Sequence, residues 1–423
     1  MRRWFSSLFS LGLIGIFASM LARVLTPLAY PALTRVEQPL YWLSLGMPAA
    51  FVVGVLTLGH RQELEHGRVG LVVRTVLAGA GSILVGFALV MGLPRAAEPT
   101  TQPGSKDMVP LVFSSHYDIR VGIEQLFVFD VHKYSRIRDE IIRRGLRREG
   151  DFLVPRPLSD EDLLLVHTPE YVGAIREPGM AAKYLEFPAA AALPGPVYRS
   201  RVLGSFLTAS GGTLLAARQS LEHGLAVNLA GGYSHASADE RGGFCLIADV
   251  PIAIRALQKE GKIKRALIID TDAHQGQGSA VIFAGDPDVR IVDFYQTDIY
   301  PYGAADVWKS IPFAAGITDE EYMDLLATHV PRSLDEFKPD LVMFVMGSDI
   351  YQEDPLTACC VSRQGVLARD LYVVEQCRSR NIPVAMVLSG GYSSESWLIH
   401  ADSIAEIVRK YDHSSTGSAS AVR

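Results

Sequence analysis

Four short polar clusters hold most of the side chains in this sequence that could do chemistry. They are GGYSH at 231–235, TDAHQGQG at 271–278, GSD at 347–349 and SGGY at 389–392, and each follows a run of apolar residues. Asp272 and His274 stand two apart on a segment leaving one such run. On extended backbone, residues i and i+2 share a face, so both side chains can reach one ion. Asp349, at the matching end of another run, offers a third ligand. Two carboxylates and one imidazole suit zinc and leave a coordination position open for water or substrate, the pattern of a catalytic rather than a structural site. By itself an Asp-x-His pair is ordinary, since a capping Asp and a hydrogen-bonded His are common after strands. The coincidence with His235 and Tyr392 at equivalent run ends points to one site.

A second metal would need a further carboxylate two residues after His274, as in the Asp-x-His-x-Asp pattern of binuclear ureohydrolases. That position is Gly276. The sequence therefore predicts one zinc per chain.

Elements must bring these clusters together. Apolar, β-branched runs at 111–115, 226–230, 266–270, 290–294, 341–346 and 384–389 alternate with helix-like segments at 212–223, 250–260, 319–336, 362–378 and 395–410. That alternation predicts an α/β fold, a parallel sheet with helices on both faces. Ligands bind beyond the carboxyl ends of such strands, so the four clusters are expected along one sheet edge.

The 423 residues allow two or three domains. Forty Lys+Arg against 46 Asp+Glu give a net charge of −6, so no global basic field favours nucleic acid as a partner. Only 20% of residues are charged, and the mean hydropathy is +0.18. The apolar excess sits at one end: residues 4–22, 38–59 and 75–94 contain no charged side chain. Each stretch approaches the ~20 residues that span a bilayer. An all-α transmembrane anchor of about three helices is expected over 1–95, and hence an integral membrane protein; a signal peptide is the other reading of the first stretch. Arg2, Arg3, Arg61, Arg68 and Arg74 on one side of such an anchor nearly balance Arg23, Arg35, Arg95 and Lys106 on the other. The charges thus assign the catalytic domain to neither membrane face. A Pro- and Thr-rich linker over 96–108, a catalytic domain over 109–411 and a Ser-rich disordered tail over 412–423 complete the expected organisation. Four cysteines form no zinc or disulfide pattern; the adjacent Cys359 and Cys360 read as buried filler, with a redox or metal role the other reading.

VNLAGGYSHASADERGGFC, IIDTDAHQGQG, MGSDI and LSGGY, in this order and spacing, resemble the histone deacetylase family. The QG after His274, with VFSSHYDI and HTPEYV, is most similar to its class IV branch. The resemblance covers nearly all of 110–410; the first hundred residues have no counterpart in it. It implies an arginase/deacetylase-like fold, with Asp272, His274 and Asp349 as zinc ligands, His235 as general base and then acid, and Tyr392 as donor to the developing oxyanion. It further implies Gly243, Phe244 and Tyr300 as walls of the acyl-lysine channel, with simple core packing the other reading of the two aromatics. Asp270 matches an aspartate that partners a histidine and helps hold a structural monovalent cation. Lys133 and Asp130 match a region near the pocket floor.

Two departures stand out. Ser234 occupies the place of the family's first histidine, and Gln277 that of an acidic partner to His235. The expected function is a membrane-anchored zinc amidohydrolase removing acetyl or longer acyl groups from lysine, on a protein, or from a small related amine. Ser234 and Gln277 leave open an acyl-binding protein without turnover. A transporter or sensor gains little support, because the apolar stretches lack internal charge.

Overall fold

The computed structural model describes residues 108–412, except 123, 125–126, 187–190, 241 and 303–304. The anchor expected over 1–95, the linker up to 107 and the tail from 413 lie outside the described residues. Among the described residues no helix is long and apolar enough to cross a membrane.

Among the described residues seven strands form one sheet: β1 Leu111–Val112, β2 Leu225–Asn228, β3 Ala266–Asp270, β4 Val289–Gln296, β5 Lys309–Phe313, β6 Leu341–Val345 and β7 Val384–Val387. Their order across the sheet is β1-β2-β7-β6-β3-β4-β5, and every neighbouring pair is parallel. The central strands β2, β3, β6 and β7 are buried at every residue. Burial on both faces is why they read in sequence as continuous apolar runs rather than as alternation. The longer helices are α1 Lys133–Arg143, α2 Gly204–His223, α3 Asp249–Lys259, α5 Asp319–Phe337, α6 Arg363–Ser379 and α7 Ser396–Tyr411, with the short α4 at Gln277–Ile282.

Two elements differ from the sequence expectation for identifiable reasons. Strand β5 carries Pro312 and lies at the sheet edge, with buried and more exposed residues interleaved. An edge strand can tolerate proline, but the residue hides the strand in the sequence. Helix α2 begins at Gly204, eight residues before the expected start, and runs through Gly211 and Gly212. These glycines do not break the helix; they let it approach its neighbours. A Cβ on Gly211 would lie 1.9 Å from the Arg156 carbonyl oxygen, and one on Gly212 2.0 Å from the Tyr117 hydroxyl. That hydroxyl donates to Asn228 Oδ1 at 2.7 Å, joining the end of β2 to the segment after β1.

Gly212→Ala is therefore expected to destabilise the domain by about 1–3 kcal/mol through overpacking, despite alanine's better helix propensity. The midpoint of urea unfolding measures this; an unchanged or raised midpoint would contradict the close approach.

Candidate active site

Strands β2, β7, β6 and β3 are consecutive across the sheet and parallel, so the four polar clusters emerge side by side from one edge. Past β3 the chain turns so that His274 faces two carboxylates. Its Nδ1 lies 2.8 Å from Asp349 Oδ2 and 3.2 Å from Asp272 Oδ1. One ligand atom from each of the three residues falls within 4.8 Å of the others, and all three side chains are buried. The remaining carboxylate oxygens are already committed. Asp272 Oδ2 accepts from Ser389 Oγ at 2.8 Å and from the Gly390 amide at 2.7 Å, while Asp349 Oδ1 accepts from the Ala273 amide at 2.9 Å.

This donor set fits a divalent cation. Burial together with the neighbouring Asp272 charge pushes the Asp349 carboxyl above its ordinary range, so without a cation the pocket resists holding both carboxylates charged. Zinc would neutralise the pair using hard oxygen and imidazole donors that it accepts readily.

The segment carrying His235 starts with Gly231 and Gly232 at φ of 81° and 85°. The positive φ values are accessible to glycine, and a Cβ on Gly232 would meet Ser389 Cβ at 2.8 Å. Buried Asp249 holds the turn by accepting from the Gly232 and Tyr233 amides at 2.9 and 2.8 Å. His235 Nδ1 is 2.6 Å from Gln277 Oε1, and Gln277 Nε2 donates to the Tyr300 hydroxyl at 3.1 Å. The amide oxygen can only accept, so Nδ1 carries the proton and Nε2 keeps its lone pair. Burial lowers the His235 pKa, although the Asp272 charge and the Gln277 bond oppose that shift. The imidazole is neutral at neutral pH.

Tyr392 is fixed through its amide, which donates to Asp354 Oδ2 at 2.7 Å. Its ring stands 6.1 Å from that of His274 and 5.8 Å from that of Phe244. Burial and the charges of Asp272 and Asp349 hold the phenol well above its ordinary pKa, so it remains a proton donor. Phe244 sits at φ 64° and packs against Phe129 with ring centroids 5.6 Å apart. A Cβ on Gly243 would approach His235 Cδ2 to 2.3 Å. Tyr300 flanks His235 at 5.2 Å between ring centroids. A cavity of about 60 Å³ runs along Phe129, His235, Phe244, Asp272 and Tyr392 to buried Lys133.

Residues 128–408 match the histone deacetylase domain. The chain belongs to the histone deacetylase family. Histone deacetylase 2 of Arabidopsis thaliana is 35% identical over 306 residues, covering 71% of this chain and 79% of that protein. An uncharacterised protein of Picosynechococcus sp. is 33% identical over 284 residues, covering 67% of this chain and 92% of its own length. The crystal structure of the HDA15 HD domain superposes with a TM-score of 0.60 at 21% identity, covering 74% of this chain and 92% of that one. This deacetylase-family chain, with its candidate metal-binding triad, is a zinc-dependent hydrolase.

Ser234, which departs from the family pattern, and Asp270, which matches it, both border Gly276. A Cβ there would lie 3.1 Å from Ser234 Cβ and 2.8 Å from Asp270 Oδ2. Asp270 is in register with Asp293 on β4, and burial raises the pKa of both carboxyls. His167 is satisfied away from the site, with Nδ1 near the Ala238 carbonyl at 3.2 Å and Nε2 accepting from the Ala248 amide at 3.0 Å. The adjacent cysteines divide: Cys359 is buried as expected, whereas Cys360, between buried Cys359 and buried Val361, is exposed.

Sequence reasoning passed over several supporting groups. Asp249, Asp354 and Ser389 hold backbone or carboxylates at the site from positions whose residue types are common in loops and helix starts. Lys133, which the resemblance places near the pocket floor, is buried beside the cavity, and its Nζ donates to the Ser389 carbonyl at 2.7 Å.

Purified protein is expected to hold about one zinc per chain. Asp349→Ala should lose most of it, because two remaining ligands cannot retain the ion. Metal analysis after gel filtration checks this, and full zinc in the variant would exclude Asp349 as a ligand.

Proposed function

We propose that the chain hydrolyses the amide bond of acyl-lysine side chains, or of small acylated amines, at this site. The observation that carries the proposal is the convergence of Asp272, His274 and Asp349 with the rings of His235 and Tyr392, each about 6 Å from the His274 ring. When bound by the three ligands, zinc would acidify water and polarise the amide carbonyl. His235 Nε2 takes the proton of the attacking water and returns it to the departing amine, while the Gln277 oxygen keeps Nδ1–H directed away from the reaction. Tyr392 donates its hydroxyl to the carbonyl oxygen as that atom gains negative charge, which stabilises the transition state more than the substrate.

Gly243, Phe244 and Tyr300 serve as the channel walls. Gly243 gives the approach to His235 that a side chain would close, and the aromatic rings flank the methylene stem of the substrate lysine. Ser234 lacks a group that titrates near neutral pH, which leaves the proton transfers to His235 alone. Asp270, in register with Asp293 behind Ser234, would need a cation such as a monovalent ion beside it to hold its charge, because burial favours the protonated carboxyls.

On a panel of acylated lysine peptides, turnover is expected to require zinc and to stop with a chelator. Tyr392→Phe should keep its zinc and lower kcat by roughly 10²–10³-fold, the usual loss for one oxyanion donor. An unchanged kcat would remove Tyr392 from the chemistry.

The acid limb of kcat/KM should lie below the unperturbed histidine value of ~6.5, because burial favours the neutral base and lets it survive to lower pH. Gln277→Glu places a carboxylate on His235 Nδ1, stabilises the imidazolium and should move that limb upward by about one pH unit. A pH–rate profile that does not move would show that His235 is not the titrating base.

A further inference from the structure

Arg369, on α6, is fully buried. Its Nε donates to Asp370 Oδ1 at 2.8 Å, which balances its charge. The outer nitrogens point elsewhere. Nη1 donates to the carbonyls of Thr271 at 3.1 Å and Gly347 at 2.7 Å, and Nη2 reaches the Met346 carbonyl at 3.4 Å. All three carbonyls belong to residues just beyond the ends of β3 and β6, where the sheet ladder stops. A buried carbonyl there needs a donor from outside the sheet.

Thr271 directly precedes Asp272, and Gly347 stands two residues before Asp349. One planar guanidinium thus ties together the two segments that carry the carboxylates of the metal triad. Nη1 spans both, with one hydrogen for each carbonyl. We propose that Arg369 is a positioning residue for the metal centre, setting the separation of Asp272 and Asp349 through their backbones. The inference rests on the reading of Asp272, His274 and Asp349 as zinc ligands.

The geometry favours this role over a simple core ion pair. Pairing with Asp370 uses only Nε, whereas the three contacts to the two ligand segments use the rest of the fork. Thr271 also accepts from the Tyr322 hydroxyl at 3.3 Å, so this carbonyl keeps a donor when Arg369 is replaced. A lysine could keep the charge but not the flat fork that addresses both segments at once.

The test measures zinc affinity by chelator competition in the full chain, alongside thermal unfolding of the metal-free protein and visible spectra of the cobalt(II)-substituted protein. Four proteins are compared: wild type, Arg369→Lys, the double variant Arg369→Met/Asp370→Leu and Val373→Ala. The double variant removes both charges and leaves neither orphaned, which guards against failure to fold. Val373, buried on the same helix, controls for general loosening of the core.

Arg369→Lys and the double variant are expected to bind zinc about 10–100-fold more weakly, the usual effect of losing a group that orients metal ligands. Their cobalt bands should shift while metal-free unfolding stays within about 5 °C of wild type. Val373→Ala should lose stability but keep its zinc affinity and cobalt spectrum. Wild-type affinity and an unchanged spectrum in the folded Arg369 variants would overturn the inference, as would an equal loss of affinity in Val373→Ala. A wild type that binds no zinc would instead defeat the reading of the triad, an outcome distinct from either.

Discussion

Two carboxylates held close together out of water constrain this site more than any other feature. Asp272 and Asp349 present oxygens within 4.8 Å of the His274 nitrogen and of each other. At an effective dielectric of about 20, like charges at such a distance repel by roughly 3–4 kcal/mol, before the cost of leaving water is counted. The fold opposes that repulsion with fixed donors: the Ser389 hydroxyl and Gly390 amide on Asp272, and the Ala273 amide on Asp349. What remains is one oxygen from each carboxylate and one imidazole nitrogen turned toward a common point. A dication is the natural complement of that arrangement.

The supporting structure follows from the need to hold those donors still. Ser389 adopts a φ of 58°, a conformation uncommon for a residue with a side chain, and it is held from both sides. Its hydroxyl shares its one proton between the Gly232 carbonyl at 2.9 Å and Asp272 Oδ2 at 2.8 Å, and its own carbonyl accepts from buried Lys133. Asp354 then fixes Tyr392 three residues further along. The loops after β7 and β2 are in this way fastened to each other and to the loop after β3. Precision at the site comes from this cross-bracing of loops that belong to adjacent strands.

The departures around His235 have a common electrical sense. An amide at Gln277 orients the imidazole without adding negative charge, and a hydroxyl at Ser234 replaces a second ring that could carry positive charge. In the proposed reaction both leave His235 as the single base, in the neutral form that burial favours. Behind it, Asp270 and Asp293 sit in register on adjacent strands, where burial favours the protonated carboxyls.

Much of the site was legible in the sequence because its candidate groups sit directly after apolar strand runs. Asp272, His274 and Asp349 were named from type and spacing and converge in the structure, whereas the roles proposed for His235 and Tyr392 came from the family resemblance; a parallel sheet followed from strands apolar on both faces. Strand β5 was not legible, since Pro312 and its interleaved burial give no continuous run. Nor was the start of α2, where Gly211 and Gly212 look like helix breakers until the neighbours that exclude a Cβ are in place. Arg369, Asp354, Asp249 and Lys133 act through backbone groups distant in sequence, and an arginine or aspartate inside a helix reads first as a solvated charge. Their role was decided by the order β2-β7-β6-β3, which sets loops more than a hundred residues apart within one hydrogen bond of each other. Sequence determined which groups could react; tertiary structure alone decided which of the remaining polar residues hold them, because that depends on which buried carbonyls and carboxylates the sheet leaves without a partner.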